Sequence, residues 1–579
     1  MSVIFLVICY AKIKILISDL SDKACCYCKN RYFCIIDMRY TLQISFIVVL
    51  FACSCNRDYE DSSKTVFRYN EAANITSLDP AFARDQALTW ATNQLYNGLV
   101  QLNDRLEVLP SIAASWQISS DGLTYTFHLR KDVLFHQSPA FKDKKSRRVV
   151  ASDFVYSFRR ITDPEVASPG AWIFGNVSGD GKNKSFEAPD DSTFVIRLKH
   201  PFPPFIGLLT MQYCSVLPFE ALDHYGGEFR NNPVGTGPFY LKIWKEGVKM
   251  VLLKNTNYFE FEGNDRLPYL DAVSITFLAD KQSAFLEFMK GRLDFMSGID
   301  PSYKDEVLTR DGKLKPKYDK RIRLVTLPYL NTEYLAFMID SLNQVTTNNP
   351  LLNKRIRQAI NYSFDRGKMI RFLRNNIGRP GYYGITPAGL PSFDSTRVFY
   401  TYNPDKARKL LAEAGYPGGR GLPPLTLTST ADYLDICKYI QFQVAEIGID
   451  MKIEISPPAA VKEMKAQTKL PFFRASWIAD YPDAENYLSL FYSPNFCPQG
   501  PNYTHFANEE YDRLFEKSLV TLNDSLRYSY YRQMETILMV EAPVVVLYYD
   551  QVVRFLGKNV SGVGINPMNL LTLKRVRKD

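Results

Sequence analysis

Apolar and polar positions alternate along Val66-Phe67-Arg68-Tyr69-Asn70, the period of a half-buried strand. The chain then turns at Ser77-Leu78-Asp79-Pro80, and a helical stretch from Leu88 to Tyr96 runs up to Gly98, a natural C-cap residue. Between Trp116 and Arg130, Asp121-Gly122 supplies a tight turn. Tyr125, Phe127 and Leu129 fall on one face of the returning strand, which predicts a β-hairpin. Ser152 is placed to cap a helix lined on one side by Phe154, Val155 and Phe158, and Thr193 to Lys199 alternates again. Pro233-Val234-Gly235-Thr236-Gly237-Pro238 predicts a tight backbone corner, with a spacing that matches neither a P-loop nor a dinucleotide fingerprint.

Beyond Asp280 the helical stretches lengthen. Asn353 to Leu373 carries Ile356, Ala359, Ile360 and Phe364 at helical spacing. Asn403-Pro404 opens a helix with Ala407, Leu410, Leu411 and Ala414 inside and Gly415 at its close. A strand at Met451 to Ile455 follows. Phe473 to Glu485 is then an apolar run ending in Trp477, Ile478 and the acid Asp480, with Arg474 six residues before it. Opposite charges set far apart along one strand suit a short zwitterion. The same residues also read as a core strand running into a helix, with Pro482 in its first turn and Asp483 and Glu485 complementing the helix dipole. The whole pattern is mixed α and β in at least two lobes, with no internal repeat and no low-complexity segment.

The chain's 579 residues, 46% hydrophobic and 14% aromatic, suffice for several packed cores. The net charge of +9 falls to +6 without residues 1–52, which carry six Lys/Arg and three Asp/Glu; no long basic tract alternates with aromatics, which argues against nucleic acid. Near the N-terminus the charge and apolar pattern does more. Met38-Arg39-Tyr40 is followed by an apolar run from Ile44 to Phe51 and by Leu50-Phe51-Ala52-Cys53, the small-residue approach to cysteine of a bacterial lipoprotein signal. The run is shorter than the roughly 20 residues a bilayer needs. It predicts a signal peptide over 38–52, a lipid on Cys53, with Cys55 the poorer acceptor, and a polar leash from Asn56 to Lys64. Translation is expected to start at Met38, so that Cys25, Cys26, Cys28 and Cys34 belong to an upstream stretch rather than to a zinc cluster. Cys214, Cys437 and Cys497 are too sparse for a disulfide-built protein, though one bridge is compatible with an oxidising compartment. The five histidines stand apart, and neither H-E-x-x-H nor G-x-S-x-G occurs. The expectation is no enzyme, no metal and no cofactor.

The succession Ser77-Leu78-Asp79-Pro80, Leu95-Tyr96-Asn97-Gly98-Leu99, Trp116 to Arg130, Ser152 to Ser157 and Pro233 to Pro238, then Ala407 to Gly415 and Trp477 to Asp483, resembles the large substrate-binding proteins of peptide-type ABC importers. The ordered set covers nearly the whole chain after Val66 and is most similar to the oligopeptide and dipeptide binders. The resemblance implies an α/β fold of the two-lobed periplasmic-binding-protein type (type II, class C) with an additional inserted domain. Residues 56–96, 201–278 and 556–579 would form the first lobe, 97–200 the inserted domain and 279–555 the second lobe, after a lipidated cysteine and linker over 53–65. It also implies an extended peptide held by main-chain hydrogen bonds. Ser476, Trp477 and Ile478 would present one edge to it, and Arg84, Asp85 and Gln86 the other. Asp480 would pair with the ligand's α-ammonium, Arg474 with the carboxylate of a three-residue ligand, and Lys465 with longer ones. Six strand residues span roughly 20 Å, so spacing alone does not establish the two-ended grip. Implied partners are short peptides, ABC permease and ATPase subunits, and a bacterial membrane reached through the lipid anchor, with the protein itself an extracytoplasmic monomer. Nickel-chelate, haem and sugar binders are similar enough to stay open, as does, outside binding proteins, a surface peptide-processing enzyme or peptide-sensing receptor.

Overall fold

The computed structural model describes residues 64–300 and 303–579. The start at Met38, the cysteines at 25, 26, 28 and 34, the signal over 38–52, Cys53 and Cys55, and nearly all of the leash lie outside the described residues.

Strand β1 (Val66–Asn70) alternates as the sequence predicts, with Phe67 and Tyr69 buried. Helix α1 (Gln86–Leu95) is capped by Asp85, whose carboxylate accepts from the Leu88 N–H at 3.0 Å. It ends at Tyr96, in extended conformation, and not through Gly98. The Tyr96 ring is drawn into the core, and its hydroxyl donates to the Leu78 carbonyl at 3.0 Å. A four-stranded antiparallel sheet follows: β2 (Ala113–Ile118), β3 (Thr124–Leu129), β4 (Phe186–Asp190) and β5 (Thr193–Arg197), in the order β2-β3-β5-β4. The β2–β3 hairpin turns at Gly122, whose φ of +71° needs glycine. Between its halves runs α2 (Ala151–Thr162). Ser152 is not its cap: Val150 is, and Asp153, held by Arg147 at 2.7 Å, reaches back to accept the Val150 N–H at 2.9 Å.

The remaining long strands are β6 (Phe239–Lys245), β7 (Lys249–Lys254), β8 (Ala272–Thr276), β9 (Phe295–Ser297), β10 (Ile322–Phe337), β11 (Leu425–Ser429), β12 (Met451–Ile455), β13 (Phe472–Ile478) and β14 (Val544–Gly557). With β1 they form one mixed sheet in the order β12-β11-β13-β10-β14-β9-β1-β8-β7-β6. Strands β10 and β14 are its spine. Their first portion, Ile322 to Pro328 against Gly557 to Gln551, lies beside β9; their second, Thr332 to Ala336 against Tyr549 to Val544, lies beside β13. Between the two portions the ladder breaks: Tyr329, Leu330 and Asn331 stand where the partner strand has only Asp550.

The second portion is buried on both faces, as a central strand should be. Tyr334, Ala336, Phe473 and Ala475 join one core cluster, and Leu335, Phe337, Phe472 and Leu547 the other. A separate large core gathers Phe67, Trp90, Phe127 and Phe158. The helical stretch from Asn353 to Leu373 is two helices, α3 (Lys354–Tyr362) and α4 (Arg366–Leu373). Asp365 caps the second by accepting the Lys368 N–H at 3.0 Å, a local bond that competes with helix continuation. Asn403 caps α5 (Pro404–Glu413), and Gly415 follows it at a φ of +94°. Helix α6 (Leu434–Ala445) packs on one face of the second portion, and α7 (Pro458–Ala466) leads into β13.

The corner at Gly235 and Gly237 is a close approach to the end of α1: a Cβ at either glycine would stand 2.1 Å from the Leu95 carbonyl oxygen or 2.4 Å from its carbon. His136 supports it, with Nε2 at 2.9 Å from the Gly237 carbonyl and its backbone N–H donating to Gly235 O at 2.7 Å. Burial pushes this imidazole down to about 4, so it serves as a neutral prop. Cys214, Cys437 and Cys497 are separate buried thiols, so none of the three bridges.

Candidate functional site

Strand β13 offers one satisfied edge and one open one. Along its full length it pairs antiparallel with β10, from Phe472↔Phe337 to Ile478↔Asn331. On the other side β11 touches it at Thr428↔Phe473. From Arg474 to Ile478 that second edge has no strand partner among the described residues. Alternate main-chain N–H and C=O groups therefore face outward, the arrangement that accepts an added strand. Ser476 and Trp477 are half-buried and Ile478 is 50% exposed.

Where β13 ends, the chain is tied by Asn486. Its side-chain carbonyl accepts from the Trp477 indole at 2.8 Å and from the Asp480 N–H at 3.1 Å, and its amide donates to the Asp480 carboxylate at 3.3 Å. Asp480 itself reaches solvent, and no cation pairs with it among the described residues. The surrounding protein raises its carboxyl above the ordinary aspartate value, while the Asn486 hydrogen bond works the other way.

Arg84, Asp85 and Gln86, far away in sequence, are exposed at the start of α1. The charges of both stretches act on the Tyr213 phenol. Burial pushes it up to about 12, the Asp480 charge adds to the rise, Arg84 opposes it and Asp85 adds again. Nearby, the Tyr481 ring lies 6.2 Å from Trp172, and Pro482 sits 3.6 Å from where a Cβ on Gly207 would be. The charges of Arg84, Asp85 and Asp480 thus all act on one phenol, while Arg474 and Lys465 belong to a second group.

That second group is built on β10. Arg474, opposite Leu335 in register, forms an ion pair with the buried Glu333 and lays its guanidinium 3.4 Å from the Tyr433 ring centroid. Glu333 also accepts from Asn331 Nδ2 at 3.1 Å and from the Tyr433 hydroxyl at 3.3 Å. Burial, the largest effect, leaves its carboxyl above the ordinary glutamate value and Asp550 adds to the rise, while Arg474 and the Asn331 hydrogen bond pull it down. Beside this pair, Arg374 donates to Asp550 at 2.6 Å and to the Tyr548 hydroxyl at 3.0 Å. Lys465 on α7 has its ammonium 5.1 Å from the Tyr503 ring and 5.9 Å from that of Phe473, with no carboxylate partner among the described residues. Burial, then the charges of Arg474 and Lys462, push it down to about 8.

Asp483 and Glu485 do more than complement a helix dipole. The helix they open, α8 (Glu485–Leu488), is a single short turn, and both acids are buried. Asp483 accepts from the Tyr531 hydroxyl at 2.8 Å and from Arg527 at 3.3 Å, and Glu485 accepts from the Tyr481 hydroxyl. Among the described residues no His, Cys, Asp and Glu cluster could hold a metal ion.

The sequence profile described as "Bacterial extracellular solute-binding proteins, family 5 Middle" matches residues 107–496. The chain belongs to this family. Its members are substrate-binding proteins of ABC importers rather than enzymes. The glutathione-binding protein GsiB of Shigella dysenteriae is 28% identical over 504 residues, covering 86% of this chain and 91% of that protein. The periplasmic binding protein DppA from Helicobacter pylori, solved with the peptide STSA, is 27% identical with a TM-score of 0.69, over 89% of this chain and 98% of that one. HbpA2 from Haemophilus parasuis shares the fold with a TM-score of 0.76 at 24% identity, over 89% of this chain and all of that one. The family's type II periplasmic-binding-protein fold is thus the fold of this chain. No helix among the described residues is long and apolar enough to cross a membrane.

Asn486, Glu333, Tyr433 and Tyr213 escaped the sequence reading. Glu333 left a faint signal, an acid immediately before the apolar run Tyr334-Leu335-Ala336-Phe337. Asn486, six residues beyond Asp480, left none.

Proposed function

We propose that this solute-binding protein captures short peptides, adding them as a strand to the open edge of β13 and pairing their α-ammonium with Asp480. The observation that carries the proposal is the pairing of that edge with a carboxylate that has no cation of its own. Main-chain hydrogen bonds make such a site tolerant of sequence, because every peptide offers the same donors and acceptors. Trp477, Ser476 and Ile478 supply the edge. Arg84, Asp85 and Gln86 face the ligand from α1, across Tyr213. The peptide-bound DppA relative supports a peptide ligand.

The break in the β10–β14 ladder at Tyr329–Asn331 is where the two lobes would swing, closing on ligand by contacts made only in the closed state. Cys53 would carry the lipid that holds the protein at a bacterial membrane, next to the permease it supplies. Native mass spectrometry of the protein after mild purification tests the ligand class: peptide masses released on denaturation are the expected result. A bound porphyrin or metal-chelate mass in their place would contradict it.

A further inference from the structure

Resting on the peptide reading, we infer that Glu333 is a specificity-determining residue: it occupies the Arg474 guanidinium from within, so the ligand segment lying over Arg474 is uncharged and a tripeptide's free carboxylate gains nothing there. Three observations carry this. Glu333 is 2% exposed and sits on β10 across from Ser476 on β13, in the strand next to the proposed ligand edge. Its carboxylate has Arg474 on one oxygen, with Asn331 and Tyr433 on the other, so it cannot turn away without stranding three donors. The arginine in turn is stacked on Tyr433, which fixes its plane.

Each of the two arginines has its own acid. Arg474 is matched by Glu333 and Arg374 by Asp550, so neither arginine offers an unspent positive charge. An incoming carboxylate would have to displace Glu333, leaving one buried anion for every one it satisfies. A neutral carbonyl or amide at the same place meets no such penalty. The cation that stays unmatched at this end is Lys465, on a different element and over different rings.

The test is calorimetry with one tripeptide as its free acid and as its C-terminal amide. For the unaltered protein the two affinities are expected within about threefold of each other, and Glu333→Gln is expected to favour the acid by about tenfold or more, because the Gln carbonyl can still accept from Asn331 and Tyr433 while its amide nitrogen cannot accept from Arg474, which frees that charge. In Glu333→Gln/Arg474→Gln, with neither charge present, the acid-to-amide ratio should return to that of the unaltered protein. A preference for the acid beyond about threefold in the unaltered protein overturns the inference, as does an unchanged ratio in folded Glu333→Gln or an acid preference that persists in Glu333→Gln/Arg474→Gln. Failure of the underlying peptide reading looks different, since neither form would then bind.

Discussion

Asn486 accepts from the Trp477 indole and the Asp480 N–H and donates to the Asp480 carboxylate, so one buried amide fixes a ring, a backbone turn and an acid together. Asn486→Ala would leave two donors without partners, at a cost of about 1–3 kcal/mol each if they stay buried. Urea denaturation should show that loss, and peptide affinity should fall with it because Asp480 is no longer aimed. A second expectation concerns pH. Burial raises the Asp480 carboxyl in the free protein, and an ammonium binds only its ionised form, so affinity should be full above that raised value and fall as pH drops through it. In Asp480→Asn the fall should be absent, as a titration of affinity against pH would show. At this scale the sequence reading reached as far as residue type allows. It could single out Asp480 from its place after Trp477, but Arg474 and Glu333 are 141 positions apart, and nothing local announces that one neutralises the other.

Strand β13 carries the ligand edge because β10 takes one side along its whole length and β11 leaves the other after Phe473. A strand added there would use alternate peptide groups. N-methylation scanned along a bound peptide should therefore cost affinity at every second position, and a loss equal at all positions would contradict strand addition. Elements whose signals are local were legible in the sequence. The Asp121-Gly122 hairpin and the Asn403-Pro404 to Gly415 helix each carry their own turn or cap chemistry, and both formed as read. Elements decided by competition were not. Asp365 interrupts a periodic apolar stripe by offering its carboxylate to the Lys368 N–H, and Arg147 recruits Asp153 so that the cap at α2 falls on Val150 and not on Ser152. The break opposite Asp550 depends on pairing between strands more than two hundred residues apart, which no window of sequence contains.

Across the whole molecule, buried acids set how stability responds to pH. Burial pushes Glu485 and Glu535 each up to about 7, with the Tyr481 hydroxyl and the Thr386 N–H as partners that pull the other way. The folded state then holds protons that the unfolded chain has released. Stability contributed by the protonated forms is present below the unfolded glutamate value and is lost as pH rises through about 7. Melting temperature should decline from pH 5 to pH 8, and Glu485→Gln should flatten that decline. The Asp480 charge adds to the rise of Glu485, so the same region that is proposed to bind ligand carries part of this response. The central claim, an ammonium captured by Asp480 at an open strand edge, is tested most directly by calorimetry with a short peptide and its N-acetylated form. The account predicts that acetylation and Asp480→Asn each weaken binding strongly, by about 2–5 kcal/mol for a closed-in charge pair, and that acetylation costs little more once Asp480 is gone. Equal affinity for the free and acetylated peptides would contradict it.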